Sequence, residues 1–160
     1  MSIRQFRDSD LPALIELTIE TFRPFYEEYV RPLLGEEVFQ HQHGHWVQDY
    51  REDLPTLHDP VTRRFIAIAE HDGAIEGNVS WRIGDRPDHG QIYLLAVSES
   101  QRRHHVGRDL CQYAIEQMRL SGVAVVGIGT GDDDFHAAAR ALYEGLGFTK
   151  IPVAAYLMKI

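Results

Sequence analysis

Cysteine is nearly missing: Cys111 stands alone among 160 residues, which excludes an internal disulfide and favours a reducing compartment. Long apolar runs are missing too. No stretch reaches the roughly 20 residues that a membrane-spanning helix needs, and residues 1–6 alternate like a strand where a signal peptide would carry a basic opening. Basic charge is in short supply, with 16 Lys and Arg against 24 Asp and Glu and a formal charge of -8. Such a balance opposes nucleic-acid phosphates and mildly favours cationic partners. The expectation is a cytoplasmic protein with neither nucleic acid nor membrane among its partners. No glycine-rich turn follows the first strand and no acidic ribose reader is suitably spaced, so a dinucleotide-dependent oxidoreductase is excluded.

What is present fits one domain, large enough to bury a sheet between helices without a structural metal. Residues 2–7 read as a strand with Ile3 and Phe6 as its apolar positions, and Asp8 or Ser9 reads as the cap of a helix that tolerates Pro12 in its first turn. Leu11, Leu14, Ile15, Thr18 and Phe22 share one face of it. Pro24 and Pro32 punctuate an irregular or short helical connection over 23–34, and a further helix is expected over 36–51. Residues 65–70 and 74–83 form a hairpin, because Asp72-Gly73 supplies the positive backbone angles of a tight reversal. A strand over 90–97 comes next. Val106, Leu110, Cys111, Ala114, Ile115 and Met118 then recur at helical spacing. A buried strand over 123–128, a helix over 135–146 capped by Asp133 or Asp134, and β-prone residues over 148–158 interrupted by Pro152 complete the pattern.

The dense basic cluster Arg102, Arg103, His104, His105 and Arg108 lies between the strand ending near Val97 and the helix starting near Gly107. A helix start exposes unpaired N–H groups and the positive end of the helix dipole, so strand, basic loop and helix together make an anion cradle that suits a pyrophosphate. Downstream stands Ala139-Arg140-Ala141-Leu142-Tyr143-Glu144-Gly145-Leu146-Gly147-Phe148.

These two ordered segments resemble the GNAT family of acetyl-CoA-dependent N-acetyltransferases. The first resembles the family's cofactor loop, Q/R-x-x-G-x-G/A, with Arg102 and Gly107 at its ends and His105 replacing the inner glycine. The second resembles the family's A-x-x-L-Y-x-x-x-G-F helix, with His136 where asparagine is common. The implied fold is α/β (α+β): a single GNAT-like acyl-CoA N-acyltransferase domain over 1–160, with a mixed, mostly antiparallel central sheet flanked by helices. The implied co-substrate is acetyl-CoA, contacted by Leu95, Ala96, Val97, Arg102, Arg103, His104, His105, Val106, Gly107, Arg108 and His136, with no metal. Family resemblance, with the apolar C-terminal segment, also makes a homodimer an expectation.

The mechanism implied by the resemblance is direct attack of a small-molecule or peptide amine on the thioester, without an acetyl-enzyme. Tyr143 is then the catalytic residue, a phenol of reference pKa about 10 that donates a proton to a thiolate whose conjugate acid is near 8.5. Cys111 reads as a small buried hydrophobe. The family often places a carboxylate on the strand before the loop, yet residues 91–95 contain none; Tyr93 there packs or orients substrate, with a proton relay as the alternative. In the family a bulge in this strand directs main-chain groups of Leu95 and Val97 at the thioester arm. Phe22, Phe25, Tyr26, Glu27, Glu28 and Tyr29 combine aromatic walls with negative charge that suits a cationic amine, although an amphipathic connection with a solvated acidic face explains them equally. His41, His43 and His45 lack a nearby acidic or cysteine ligand in sequence, and Gly44 interrupts them. The rival from another class is a noncatalytic acyl-CoA-binding module.

Overall fold

The computed structural model describes residues 1–158. In chain order they form β1 (Ser2–Gln5), α1 (Leu11–Pro24), a π-helical turn (Phe25–Val30) continuing into α2 (Arg31–Leu34), α3 (Glu36–His43) and α4 (Trp46–Asp53). There follow β2 (Arg64–His71), β3 (Ala74–Ile83), β4 (His89–Val97), α5 (Val106–Leu120), β5 (Val125–Ile128) and α6 (Ala137–Gly145). The five strands make one sheet in sequential order, antiparallel throughout except for β4 beside β5. That pair is parallel because α5 crosses over between its strands.

Both faces of the sheet are covered. Leu14 of α1 and Leu54 pack on Ile66, Ile68 and Leu94, while Leu110, Cys111, Ala114 and Met118 of α5 pack on Ala67, Ala69, Val79, Trp81 and Ile92. Strand β2 therefore buries consecutive residues, Ile66 through Ala69, one side chain to each layer in turn. Gly77 sets how closely α5 approaches: a Cβ there would meet the Ala96 carbonyl oxygen at 3.0 Å and Leu110 Cδ1 at 3.1 Å. A third cluster, Ile19, Val30, Phe39 and Trp46, fastens the π-helical turn, α3 and α4 to α1. The β2–β3 hairpin turns at Asp72 and Gly73 with φ of 50° and 80°, as its sequence dictates.

Strand β4 carries the irregularity that shapes the site. Val79 pairs Leu95 and Ser80 pairs Leu94, but Trp81 pairs Ile92, so Tyr93 has no partner and forms a bulge. Ile92 faces α5 before the bulge, Leu94 faces α1 after it, and Leu95 and Val97 face α5 again.

Several expectations are corrected. The helix expected over 36–51 is two helices, broken at Gly44 and His45. Neither Asp8 nor Ser9 caps the first helix; Asp10 instead accepts the Arg7 N–H at 2.8 Å and is gripped by Arg4. The strand expected over 123–128 is shorter and lies at the sheet's edge among the described residues, so its residues are exposed or half-buried. Residues 151–158 form no strand and are exposed, Pro152 among them. No helix among the described residues is long and apolar enough to cross a membrane.

Candidate active site

The basic loop closes on the start of α5. The Asp109 N–H reaches the His105 carbonyl at 2.9 Å as the first bond of that helix, which leaves the N–H groups of Val106, Gly107 and Arg108 without intrahelical acceptors. No side chain caps them. Arg102, Arg103 and Arg108 form no ion pair with any described residue, so three uncommitted guanidiniums surround a bare helix start. His105 takes φ 64° and Arg103 φ 68°. Histidine thus adopts the left-handed conformation a glycine would supply at this position, and the loop keeps its turn despite the substitution.

From this cradle a cavity of about 970 Å³ runs between β4 and β5 to the aromatic residues of α1 and α4. The two strands pair only from His89 with Val125 to Ile92 with Ile128. Beyond Ile92 the β4 main chain has no strand partner along one edge, where the Thr21 hydroxyl donates to the Val97 carbonyl at 3.5 Å, and Leu95 and Val97 line the opening. Tyr143 of α6 also lines it. Its ring packs edge-on against Phe148 at 6.2 Å, and its hydroxyl bonds to no described residue. Burial pushes its pKa well above the ordinary phenol value, so the group stays protonated as a donor. Cys111 has no access to the cavity; burial raises its thiol to about 12 and leaves it a packing residue.

At the start of α6, His136 faces the cavity two turns from Tyr143, roughly 10 Å along the helix axis. Asp133 holds it: the carboxylate accepts the His136 backbone N–H and approaches ring Nδ1 at 2.7 Å. Burial raises the Asp133 pKa, but its bonds to the His136 ring and backbone outweigh that and keep it below the ordinary carboxylate value. With the carboxylate ionised, ring Nδ1–H donates to it and Nε2 is the nitrogen turned away from Asp133. Arg140 clamps the same loop through the carbonyls of Gly131 and Asp133 at 2.8 and 2.5 Å, and Lys150 occupies Asp132 at 2.6 Å.

The far end is aromatic. Phe22 stacks on Tyr50 at 5.6 Å, and Phe25 bridges to Phe135 at 5.4 Å and to His136 at 4.7 Å, closing the cavity roof. The expected negative charge is not there. Glu27 is consumed by Arg31 at 2.8 Å and the Trp46 indole N–H at 2.9 Å, and no carboxylate among the described residues lines the cavity.

Of the residues the sequence pointed to, the cavity brings together Leu95, Val97, Arg102, Arg103, His105, Val106, Gly107, Arg108, His136 and Tyr143. Ala96 is left out because the bulge turns it into the sheet opposite Asn78, and His104 because it points to solvent. Thr21, Tyr50, Phe135 and Thr130 join the wall without having been singled out. Their signal was only proximity to the aromatic segment and to the cap of α6. Among the described residues no three His, Cys, Asp or Glu gather to hold a metal.

Residues 11–148 match the Acetyltransferase (GNAT) family. The chain is 28% identical over 157 residues to a mycothiol acetyltransferase of Thermomonospora curvata, covering 94% of this chain and 51% of that protein. It is 34% identical over 84 residues to a mycothiol acetyltransferase of Beutenbergia cavernae, covering 52% of this chain and 27% of that one. It therefore spans about half the length of the first relative and about a quarter of the second. Among solved structures, an aminoglycoside 6'-N-acetyltransferase of Acinetobacter haemolyticus superposes with a TM-score of 0.68 at 14% identity, over 100% of this chain and 99% of that one. A GNAT family acetyltransferase of Brucella melitensis in complex with acetyl-CoA gives 0.64 at 18% identity, over 93% and 82% of the two chains. At such identities these structures establish the shared fold, and the match over 11–148 establishes the rest: the chain belongs to the GNAT family of acetyltransferases.

Proposed function

We propose that this chain transfers the acetyl group of acetyl-CoA to a primary amine by direct attack in a ternary complex. The observation that carries it is one cavity with a bare, arginine-flanked helix start at one end and a protonated, uncommitted phenol on its wall. Arg102, Arg103, His105, Arg108 and the N–H groups of Val106 and Gly107 bind the pyrophosphate. His136 Nε2 accepts a hydrogen bond from an amide N–H of the pantetheine arm, in place of the amide side chain common at that position. The main-chain N–H groups of Leu95 and Val97, on the unpaired edge of β4, line the arm beside the bulge and stabilise charge that develops on the thioester oxygen. The amine nitrogen bonds to the acetyl carbon as the carbon–sulfur bond breaks. Tyr143 gives its proton to the departing thiolate, and the amine proton leaves to water, since no cavity carboxylate is at hand to take it.

Release of free thiol from acetyl-CoA that depends on an added amine, with the acetylated product identified by mass, tests this reading. Binding of acetyl-CoA without amine-dependent release across alkylamines, polyamines, aminoglycosides and peptides would overturn it. The result would then favour a noncatalytic acyl-CoA-binding module, a reading that the carboxylate-free cavity wall supports.

A further inference from the structure

Behind Tyr93 lies a second, smaller cavity of about 230 Å³, and Tyr93 forms part of the wall of both. Its remaining walls include Ser80, Arg82, Arg64 and Asp53. Arg64 and Arg82 are direct cross-strand partners in the β2–β3 ladder. Like charges set directly opposite each other destabilise a sheet unless something compensates them, and neither guanidinium forms an ion pair with a described residue. Arg82 is steadied by the Gln91 side-chain oxygen at 2.9 and 3.3 Å, and Arg64 by the Thr56 carbonyl at 3.3 Å. These bonding partners are neutral, and Asp59, whose carboxyl Arg64 helps hold below its usual value, tempers the charge of Arg64 but not that of Arg82. Ser80 is 2% exposed, and its hydroxyl is buried without a hydrogen-bond partner among the described residues. An orphaned buried hydroxyl is destabilising, and a bound acceptor atom would satisfy it. Two guanidiniums against the single carboxylate of Asp53 leave the pocket net positive.

Resting on the transferase reading, we infer that this pocket is an anion subsite and that the acetyl acceptor is a primary amine bearing a carboxylate or a phosphate. The amine reacts beside the β4 bulge. The arginines stand on β3 and β2, one and two strands away, so nitrogen and anion are separated by roughly 5–10 Å. That span excludes an α-amino acid reacting at its α-nitrogen and suits an ω-amino acid, a lysine ε-amine or an aminoalkyl phosphate. The anion would sit between the two guanidiniums and accept from the Ser80 hydroxyl, which removes both the repulsion and the orphan.

The test compares pentylamine, δ-aminovalerate and aminobutyl phosphate as acceptors in amine-dependent CoA release. One anion-bearing amine is expected to exceed pentylamine in kcat/KM by about tenfold or more, mainly through KM. A lead for δ-aminovalerate identifies a carboxylate site, and a lead for the phosphate identifies a phosphate site. Arg82→Gln is expected to collapse the ratio, and Arg82→Lys to restore part of it. Pentylamine matching both anionic amines, or a ratio unchanged in Arg82→Gln, would overturn the subsite. Calorimetry of δ-aminovalerate and aminobutyl phosphate on the wild-type chain separates this from the transferase reading. Heat that is lost in Arg82→Gln upholds the subsite even where no amine releases CoA, and that silence would sink the transferase alone; absence of heat for both ligands sinks the subsite.

Discussion

Asp133 grips His136 at two points, its Oδ1 accepting the backbone N–H at 3.1 Å and its Oδ2 lying 2.7 Å from ring Nδ1. One carboxylate therefore ties the turn ahead of α6 and fixes the ring's orientation together. Asp133→Ala is expected to weaken acetyl-CoA binding by about 2- to 10-fold, the worth of one net hydrogen bond, as read by calorimetry. His136→Asn, which supplies an amide at the same place, should bind within that range of wild type. Equal affinity in Asp133→Ala would show that the ring's orientation is irrelevant to the cofactor.

Tyr143 is protonated across the accessible pH range because burial pushes its pKa above the ordinary value of about 10. The rate should accordingly show no alkaline fall attributable to this group below about pH 10. Tyr143→Phe should lower kcat by about a hundredfold while leaving acetyl-CoA affinity intact. A pH–rate profile of both proteins checks the two statements, and an unchanged kcat would remove Tyr143 from the chemistry.

His105 sits at φ 64°, where a side chain is strained by roughly 1–2 kcal/mol. His105→Gly relieves that strain but also frees the unfolded chain, so a net gain of about 0.5–1 kcal/mol is expected from urea midpoints. A loss of stability would mean that the imidazole makes compensating contacts.

Asp10 accepts both arms of the Arg4 guanidinium, at 2.7 and 2.9 Å, and the Arg7 N–H at 2.8 Å. The Arg4 bonds, reinforced by Arg7 and opposed by burial, hold its carboxyl below the usual value. The folded state thus takes up this proton less readily than the unfolded chain. Its stabilisation is complete above about pH 4 and is lost as pH falls through the folded value. Asp10→Asn should cost about 1–3 kcal/mol at neutral pH and flatten the acid side of a stability–pH curve. An unaltered acid limb would assign acid sensitivity to other carboxylates.

The basic loop before α5 and the α6 helix were legible because short-range patterns dictate them: a basic turn ahead of an apolar helical stripe, and Leu142-Tyr143 placed before Gly147-Phe148. The hairpin was legible from Asp72-Gly73. The Tyr93 bulge had no local signal, since the residues around it, Ile92 to Leu95, carry no glycine or proline, and it emerges only when β4 must serve two layers. Glu27 misled for a related reason. Its charge counts toward the cavity only until Arg31, one helical turn on, and Trp46, from another helix, are brought against it. The pairing of Arg64 with Arg82 depends on strand register, which their separation along the chain conceals.

Tyr93 has one more consequence, visible by counting. Ile92 and Leu94 occupy opposite faces although they are two residues apart, so the odd–even phase of the strand resets at position 93. Excising that single residue would restore strict alternation, with Trp81 still opposite Ile92, Ser80 still opposite Leu94, and every apolar side chain in its own layer. The kink that opens the cleft between β4 and β5 is thereby separable from the scaffold: the shortened chain should fold with its two cores intact and show none of the amine-dependent CoA release proposed for the full chain.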